Sequence, residues 1–217
     1  QDVEQEVDLV EEVARLIGFD QIPAQLPTGM STQGGLSKRQ KLVDSIHQIL
    51  LRQGYHEAVN YSFMAKQDLE DLFPDSNHSM RRAIPLMNPM NESQAVMRTS
   101  LIPGLLKNLQ YNQNHQNPNV ALYELGRVYI AEKLPLNGLP KEETRLGVAL
   151  SGEYQPTHWM QSKSEASFYH LKGLLENLFG ALGWSLQLQE NHFGGLYHPY
   201  QCANVIHQGH IVGTVGT

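Results

Sequence analysis

Strand patterns that follow one another through short turns constrain this chain more than any other feature. Residues 120–132 are rich in β-branched and aromatic side chains, residues 145–152 read as a further strand, and residues 202–208 and 210–216 meet at Gly209, a hairpin signal. Segments with helical spacing alternate with these strands. Because strands joined by short turns usually pair antiparallel, the sequence predicts an α+β fold with a largely antiparallel sheet.

Composition limits the classes of protein that fit. The chain has 217 residues, 41% hydrophobic and 18% charged, which is ordinary globular composition with enough length for one sizeable core. No apolar run reaches the ~18 residues that a membrane helix needs, so we expect no membrane partner. The formal net charge is -6, and the sequence lacks a basic patch of the kind that grips nucleic-acid phosphates.

Cysteine usage and the two ends suggest the setting of the chain. The single cysteine, Cys202, cannot form an internal disulfide, which fits a reducing cytoplasm. The chain begins at Gln1 on the approach to a charged helix and finishes at Thr217 within a hairpin pattern. We therefore expect a piece of a longer, cytoplasmic polypeptide.

Helix and loop signals divide the chain early. Apolar residues recur at helical spacing over 9–17, with Asp8 as the expected N-cap and Glu11 as its capping-box partner. Gly18 is a natural residue to end this helix. Residues 24–36, AQLPTGMSTQGGL, are rich in Pro, Gly, Ser and Thr and form the best linker candidate.

Two further segments carry specific expectations. Residues 57–64, EAVNYSFM, predict one strand, and residues 120–132, VALYELGRVYIAE, predict a strand with a bend or bulge at Gly126. Glu124 in the second segment has two interpretations: a strand-end residue, or a carboxylate that binds a substrate amine. Glycine-rich phosphate loops and the GxSxG nucleophile motif do not occur in the sequence.

The start of the chain is strongly acidic, with two Asp and four Glu among its first twelve residues. Asp8, Glu11 and Glu12 fall at i, i+3 and i+4 and share one helix face. Asp2 precedes them on an extended lead that can fold back beside Asp8. Such carboxylates suit a hard cation, Mg²⁺ or Ca²⁺. A capped, solvated helix explains the same charge without a metal, and the spacing leaves both interpretations open.

Five stretches, taken in order, resemble one family. They are DVEQEVDLVEEVARLIGFDQIP (2–23), RQGYHEAVNYSF (52–63), LMNPMNESQAVMRTSLIPGLLKNLQYN (86–112), YELGRVY (123–129) and FYHLKGLLENL (168–178). Together they resemble the β subunit of bacterial phenylalanine–tRNA ligases, over essentially the whole chain.

This resemblance implies a domain order and a fold. Residues 1–23 would be the last helix and C-terminal end of a small upstream module, the B5 module, and residues 24–36 would be a linker. Residues 37–217 would form a class II aminoacyl-tRNA synthetase-like core, truncated at its C-terminal end. Such a core is an antiparallel sheet flanked by helices, and in this family's β subunit it is not catalytic.

The resemblance also implies an activity for the complete enzyme. Members of the family are α2β2 heterotetramers that attach phenylalanine to tRNA(Phe) with ATP and Mg²⁺. The α subunit holds the active site, where the ATP is used, and the region resembled here pairs with α. Other parts of the holoenzyme contact tRNA(Phe). We therefore expect this chain to be a structural and pairing module that is inactive on its own.

Individual positions follow from the resemblance as well. Asp2, Asp8, Glu11 and Glu12 match, in type and spacing, four carboxylates that the family assigns to Mg²⁺ shared with the α subunit. Leu122 stands two residues before the Glu of YELG, where a class II active site has an Arg that holds ATP phosphates. A leucine cannot donate a hydrogen bond to phosphate, which fits a silent module.

One loop departs from the family, and two other functions stay open. In YHPYQC, residues 197–202, Tyr200 and Gln201 stand where a Gly-Arg pair is usual. A free-standing class II-like enzyme that uses ATP is the first alternative, and Leu122 argues against it. A tRNA-binding accessory module is the second, and the net charge of -6 argues against it.

Overall fold

A computed structural model describes residues 3–26, 28–29, 34–154, 159–160, 162–191 and 196–217. The chain forms two compact units, Gln1–Leu36 and Ser37–Thr217. Within the described ranges, no helix is both long and apolar enough to cross a membrane.

The first unit contains helix α1, Glu6–Ile17, followed by a single 3-10 turn, Phe19–Gln21. The predicted end is confirmed, since Gly18 adopts φ of 98°. The predicted start is wrong, because the N-cap is Gln5 rather than Asp8. Asp8 is instead the third residue of the helix and accepts hydrogen bonds from the N–H groups of Gln5 at 2.8 Å and Glu4 at 2.9 Å. It therefore acts as the returning member of a capping box.

The second unit mixes helices with short and long strands, which confirms the predicted α+β class. In chain order its α-helices and strands are α2 (Lys38–Arg52), β1 (His56–Glu57), β2 (Phe63–Met64), α3 (Lys66–Leu72), β3 (Val96–Met97), α4 (Ile102–Asn114), β4 (Val120–Ile130), β5 (Lys141–Ser151), α5 (Phe168–Ala181), β6 (Gln187–Glu190), β7 (Cys202–His207) and β8 (His210–Gly216).

Three sheets organise the described strands, in the orders β1-β4-β5, β2-β3 and β6-β7-β8. All pairs are antiparallel except β1 with β4. The predicted hairpin between β7 and β8 is confirmed: Gln208 and Gly209 have φ of 49° and 78°, as a two-residue primed turn requires.

Strand β4 is continuous through Gly126, so the predicted bend or bulge there is wrong. Its register with β5 runs unbroken from Val120 opposite Ser151 to Ile130 opposite Lys141. The glycine is explained by packing instead, because a Cβ at this position would overlap Nη2 of Arg98. The absence of a side chain at Gly126 makes room for Arg98 and does not bend the strand.

Helix α5 joins two apolar cores of the second unit. Leu174 is buried with Leu50, Tyr55 and Tyr123 between the helices and the first sheet. Further along α5, Phe179 is buried against the β6-β7-β8 sheet. Both cores therefore depend on one helix, whose N-cap is Ser167.

Candidate functional site

Asp8, Glu11 and Glu12 occupy one face of α1, as their spacing predicts. Hydrogen bonds from the backbone N–H of Gln5, and then of Glu4, hold the pKa of the Asp8 carboxyl below its ordinary value. Glu12 forms an exposed ion pair with Arg15 at 2.5 Å. Asp2, the fourth predicted ligand, lies outside the described residues.

Asp8, Glu11 and Glu12 would supply some of the ligands that a bound cation needs, but not a complete set. Across the described residues, no group of three or more His, Cys, Asp or Glu side chains is placed to hold a metal ion. Asp8, Glu11 and Glu12 nevertheless offer oxygen donors from a single face, which is the chemistry that Mg²⁺ prefers. A closed coordination sphere would need Asp2 and further ligands.

Residues 57–64 do not form the one continuous strand that the sequence predicts. Only the ends pair: Glu57 lies beside Tyr123 of β4, and Phe63 and Met64 lie opposite Met97 and Val96. Between them, residues 58–62 belong to no strand.

A buried ion pair stands behind this segment. Nη1 of Arg98 lies 2.5 Å from Oε1 of Glu124, and the two side chains are only 8% and 4% exposed. Asn60 donates from Nδ2 to the other Glu124 oxygen at 2.8 Å, and Arg98 donates from Nε to the Arg127 carbonyl at 2.8 Å. Both oxygens of Glu124 are therefore occupied within the chain, which disfavours the substrate-amine interpretation.

Arg98 is the partner of Glu124, which the sequence patterns above do not predict. The available signal was one cation and one anion, each set within an otherwise uncharged run, VMRTSL and ALYELG. Charged residues are seldom fully buried unless they are paired, so two such residues are candidates for each other.

Helix α4 covers one face of the β1-β4-β5 sheet and packs closely against it. Its leucine Leu105 and the preceding Leu101 are buried with Val128 of β4, and Leu122 packs against the same cluster. A Cβ on Gly147 of β5 would come within 2.7 Å of Leu105 Cδ1. Leu122 is thus part of a packed apolar layer.

A small cavity of about 220 Å³ lies beside the filled face, between α3, α4 and the 57–64 segment. Its lining includes Tyr61, Phe63, Gln94, Arg98 and Lys107. Both cations are already paired, Arg98 with Glu124 and Lys107 with Asp68 at 2.6 Å. The cavity therefore presents no uncompensated charge to a ligand.

The loop that departs from the family is tied to the end of β8. The N–H of Thr217 donates to the Gln201 carbonyl at 3.1 Å, and the Thr217 hydroxyl donates to Gln201 Oε1 at 2.7 Å. Tyr200 donates its N–H to Nδ1 of His198 at 3.3 Å, and its side chain is exposed. Gln201 thus closes the loop locally, without a cationic side chain.

Known proteins resemble the chain along nearly its whole length. The family described as phenylalanyl tRNA synthetase beta chain CLM domain matches residues 22–217. The phenylalanine–tRNA ligase beta subunit of Shouchella clausii is 37% identical over 207 residues, which make up 95% of this chain and 25% of the relative. That of Halalkalibacterium halodurans is 36% identical over 217 residues, 99% of this chain and 26% of the relative.

Solved structures add a likeness of fold. A pyrrolysyl tRNA synthetase from Desulfitobacterium hafniense matches with a TM-score of 0.53 at 16% identity, covering 78% of this chain and 54% of that one. The class II synthetase-like fold implied by the sequence resemblance is thereby confirmed. The chain spans about 25% of the length of the curated relatives it matches. The family match over residues 22–217 and the identity with these relatives show that the chain belongs to the phenylalanyl-tRNA synthetase β-chain family.

Proposed function

We propose that this chain is a non-catalytic structural module of a phenylalanine–tRNA ligase β subunit and that it pairs with the α subunit in an α2β2 enzyme. The holoenzyme would attach phenylalanine to tRNA(Phe) in the cytoplasm, using ATP in the α subunit. The observation that carries this proposal is the close packing of α4 on the β1-β4-β5 sheet. Leu105 of α4 and the preceding Leu101 lie against the glycines of β4 and β5.

The charges support a silent module. Aminoacyl transfer with ATP needs cationic or N–H donors aimed at phosphate oxygens. Leu122 offers no donor and is packed among apolar side chains, while Arg98 is committed to Glu124. With a net charge of -6, we assign tRNA(Phe) contacts to other parts of the holoenzyme.

We further propose that Asp2, Asp8, Glu11 and Glu12 bind Mg²⁺ together with groups of the α subunit. Bound Mg²⁺ would supply a fixed positive charge that holds carboxylates of two subunits together. The contribution of this chain is the shared face of α1, whose first turn is fixed by the two backbone hydrogen bonds to Asp8. These bonds engage Oδ2, and hydrogen bonding to one oxygen does not prevent the other from binding a cation.

Mixing with the α subunit tests the pairing role. We expect the β subunit and α to elute together in size-exclusion chromatography, and we expect ATP–pyrophosphate exchange only when α is present. Exchange by the β subunit alone would contradict a silent module and favour a free-standing ATP-using enzyme. Separate elution of two folded subunits would contradict the pairing.

A further inference from the structure

The loop between β4 and β5 contains the only asparagine of the chain that a glycine follows, Asn137 before Gly138. The backbone nitrogen of the residue after an asparagine can attack the side-chain amide and close a succinimide ring. Glycine has no Cβ, so its nitrogen is unhindered and its backbone reaches most conformations. Asparagine is accordingly among the thermolabile residues of proteins. The pair therefore has the sequence chemistry of a spontaneous modification.

The structure leaves both partners of this reaction accessible. Residues 132–139 of the loop are all exposed, and a Cβ built on Gly138 meets nothing within 4 Å. In the part of the chain that the structure describes, no group bonds to the Asn137 amide or to the N–H of Gly138. Because loops of this kind are the mobile parts of a fold, the nitrogen can approach the amide carbon without breaking a bond.

Every other asparagine of the chain precedes a residue that has a Cβ. Asn88 and Asn117 precede proline, which has no N–H to lose. Asn77 is the best comparison, since it is also exposed and lies in a turn. The N–H of the residue after it, His78, donates to the Asp75 carbonyl at 3.0 Å. Exposure, an unbonded N–H and a following glycine thus coincide at a single asparagine.

We propose that Asn137 deamidates spontaneously and that the β4–β5 loop thereby gains a negative charge. The backbone nitrogen of Gly138 loses its proton to hydroxide and forms a bond to Cγ of Asn137. The bond between Cγ and Nδ2 then breaks, and Nδ2 leaves as ammonia after taking a proton from water. The product is a succinimide, in which the Gly138 nitrogen joins two carbonyl carbons. No group is oxidised or reduced.

Water opens the succinimide in either of two directions. Cleavage of the bond between the Gly138 nitrogen and Cγ leaves an aspartate at position 137. Cleavage of the bond to the backbone carbonyl carbon leaves an isoaspartate, in which the chain continues through the side chain and is longer by a methylene. Either product carries a carboxylate where the amide was. The overall reaction consumes a water molecule and releases ammonia, so the atoms balance.

The fold tolerates either product. The register of β4 with β5 ends at Ile130 opposite Lys141, so the reacting pair lies outside the hydrogen-bonded ladder. An added methylene in an exposed loop changes the closure entropy very little. Leu139, next to the pair, is 99% exposed, so a longer loop displaces no core side chain there. The modification therefore changes the surface charge and leaves the folded state intact.

Peptide mass spectrometry of the full-length β subunit tests the site. After incubation in heavy-oxygen water at mildly alkaline pH, the peptide that contains Asn137 should take up a heavy oxygen and yield both aspartate and isoaspartate. The peptide that contains Asn77 is the internal control and should react at least ~10-fold more slowly, a factor that corresponds to about 1.4 kcal/mol in the barrier. Circular dichroism melts of fresh and incubated protein should coincide.

Two variants test the reaction path. Gly138→Ala should slow the uptake of label at Asn137 at least ~10-fold, because the added Cβ hinders the attacking nitrogen. Asn137→Gln should abolish it, since the longer side chain would have to close a larger ring. An unlabelled Asn137 peptide, equal rates at Asn137 and Asn77, or an unslowed Gly138→Ala variant would each overturn the inference. Aspartate without isoaspartate would indicate direct hydrolysis of the amide and would overturn the succinimide path.

Discussion

Arg98 and Glu124 meet at 2.5 Å beneath the surface, with side chains 8% and 4% exposed. Their hydrogen bonds link β4 to the segment before β2 through Asn60, and to the end of β3 through the bond from Arg98 to the Arg127 carbonyl. A charge pair at this depth gives weak net stabilisation, but loss of either partner leaves the other buried and uncompensated. The pair therefore acts as a constraint on how these segments fit together.

Glu124→Gln should lower the free energy of unfolding of the chain by about 3–5 kcal/mol, because Arg98 would remain buried without its counter-ion. Urea denaturation measures the loss. Glu142→Gln is the control, since Glu142 pairs with Arg127 at the exposed surface and should cost less than about 1 kcal/mol. Equal losses in the two variants would contradict the role assigned to burial. The double variant Arg98→Met with Glu124→Leu should recover much of the loss.

Gly147→Ala should destabilise the chain by about 1–3 kcal/mol, because the added methyl would crowd Leu105 of α4. Gly173→Ala provides a matched comparison within helix α5, where a Cβ meets nothing within 4 Å. That substitution should raise stability by roughly 0.5–1 kcal/mol through helix propensity. Thermal melts of both variants measure the difference, and a neutral Gly147→Ala would show that α4 does not lie tightly on the sheet.

Acid should remove the stabilisation supplied by Glu143. Hydrogen bonds from Lys141 first, and then from Arg145, lower the pKa of its carboxyl from the ordinary 4.5. A depressed folded-state pKa gives stabilisation that is complete above the ordinary pKa and is lost as the pH falls through the lower value. Glu143→Gln should therefore be less stable than wild type near neutral pH, and the gap should close in strong acid.

Urea titrations of wild type and Glu143→Gln at a series of pH values measure that gap. Glu142→Gln again serves as the control, since its ion pair with Arg127 is more exposed. A gap that stays constant from neutral to strongly acidic pH would contradict the assignment to ionised Glu143.

The double substitution Asp8→Asn, Glu12→Gln should weaken Mg²⁺ binding by the holoenzyme, so that aminoacylation needs a higher Mg²⁺ concentration. Loss of a supporting ligand group typically costs roughly 10–100-fold in metal affinity, so the Mg²⁺ midpoint should rise at least ~10-fold. Glu6→Gln is the control, because at 100° per residue Glu6 lies on the opposite side of α1 from Asp8. Identical Mg²⁺ titrations for wild type, the double variant and Glu6→Gln would contradict the proposal that these carboxylates bind Mg²⁺.

Much of the fold follows from local sequence patterns. Helix α5 and the β7–β8 hairpin are predictable because periodicity, the Ser167 cap and Gly209 all favour the same local structure. Segment 57–64 is harder to predict, because alternation indicates extended backbone without saying whether a neighbouring strand exists to pair with it.

The remaining differences arise from groups distant in sequence or from competing local bonds. Asp8 carries N-cap chemistry, but a carboxylate can also accept from three residues upstream, and the helix begins at Glu6. Gly126 suggests a bulge when only its neighbours in sequence are considered. The side chain that needs the space beside Gly126 belongs to Arg98, 28 positions earlier. The Glu124 pairing likewise spans 26 residues, beyond the reach of a periodicity argument. The Mg²⁺ assignment stays a prediction.

The overlap between a Cβ at Gly126 and the guanidinium of Arg98 also limits how this module can change over time. A lineage that retains arginine at position 98 can place little besides glycine at position 126, and a lineage that acquires a side chain at 126 must first shorten residue 98. Shortening residue 98 would leave the Glu124 carboxylate buried without its cation. Substitutions at positions 98, 124 and 126 therefore have to occur in a particular order. Such coupling makes single steps unfavourable and should appear as co-variation of these positions among related sequences.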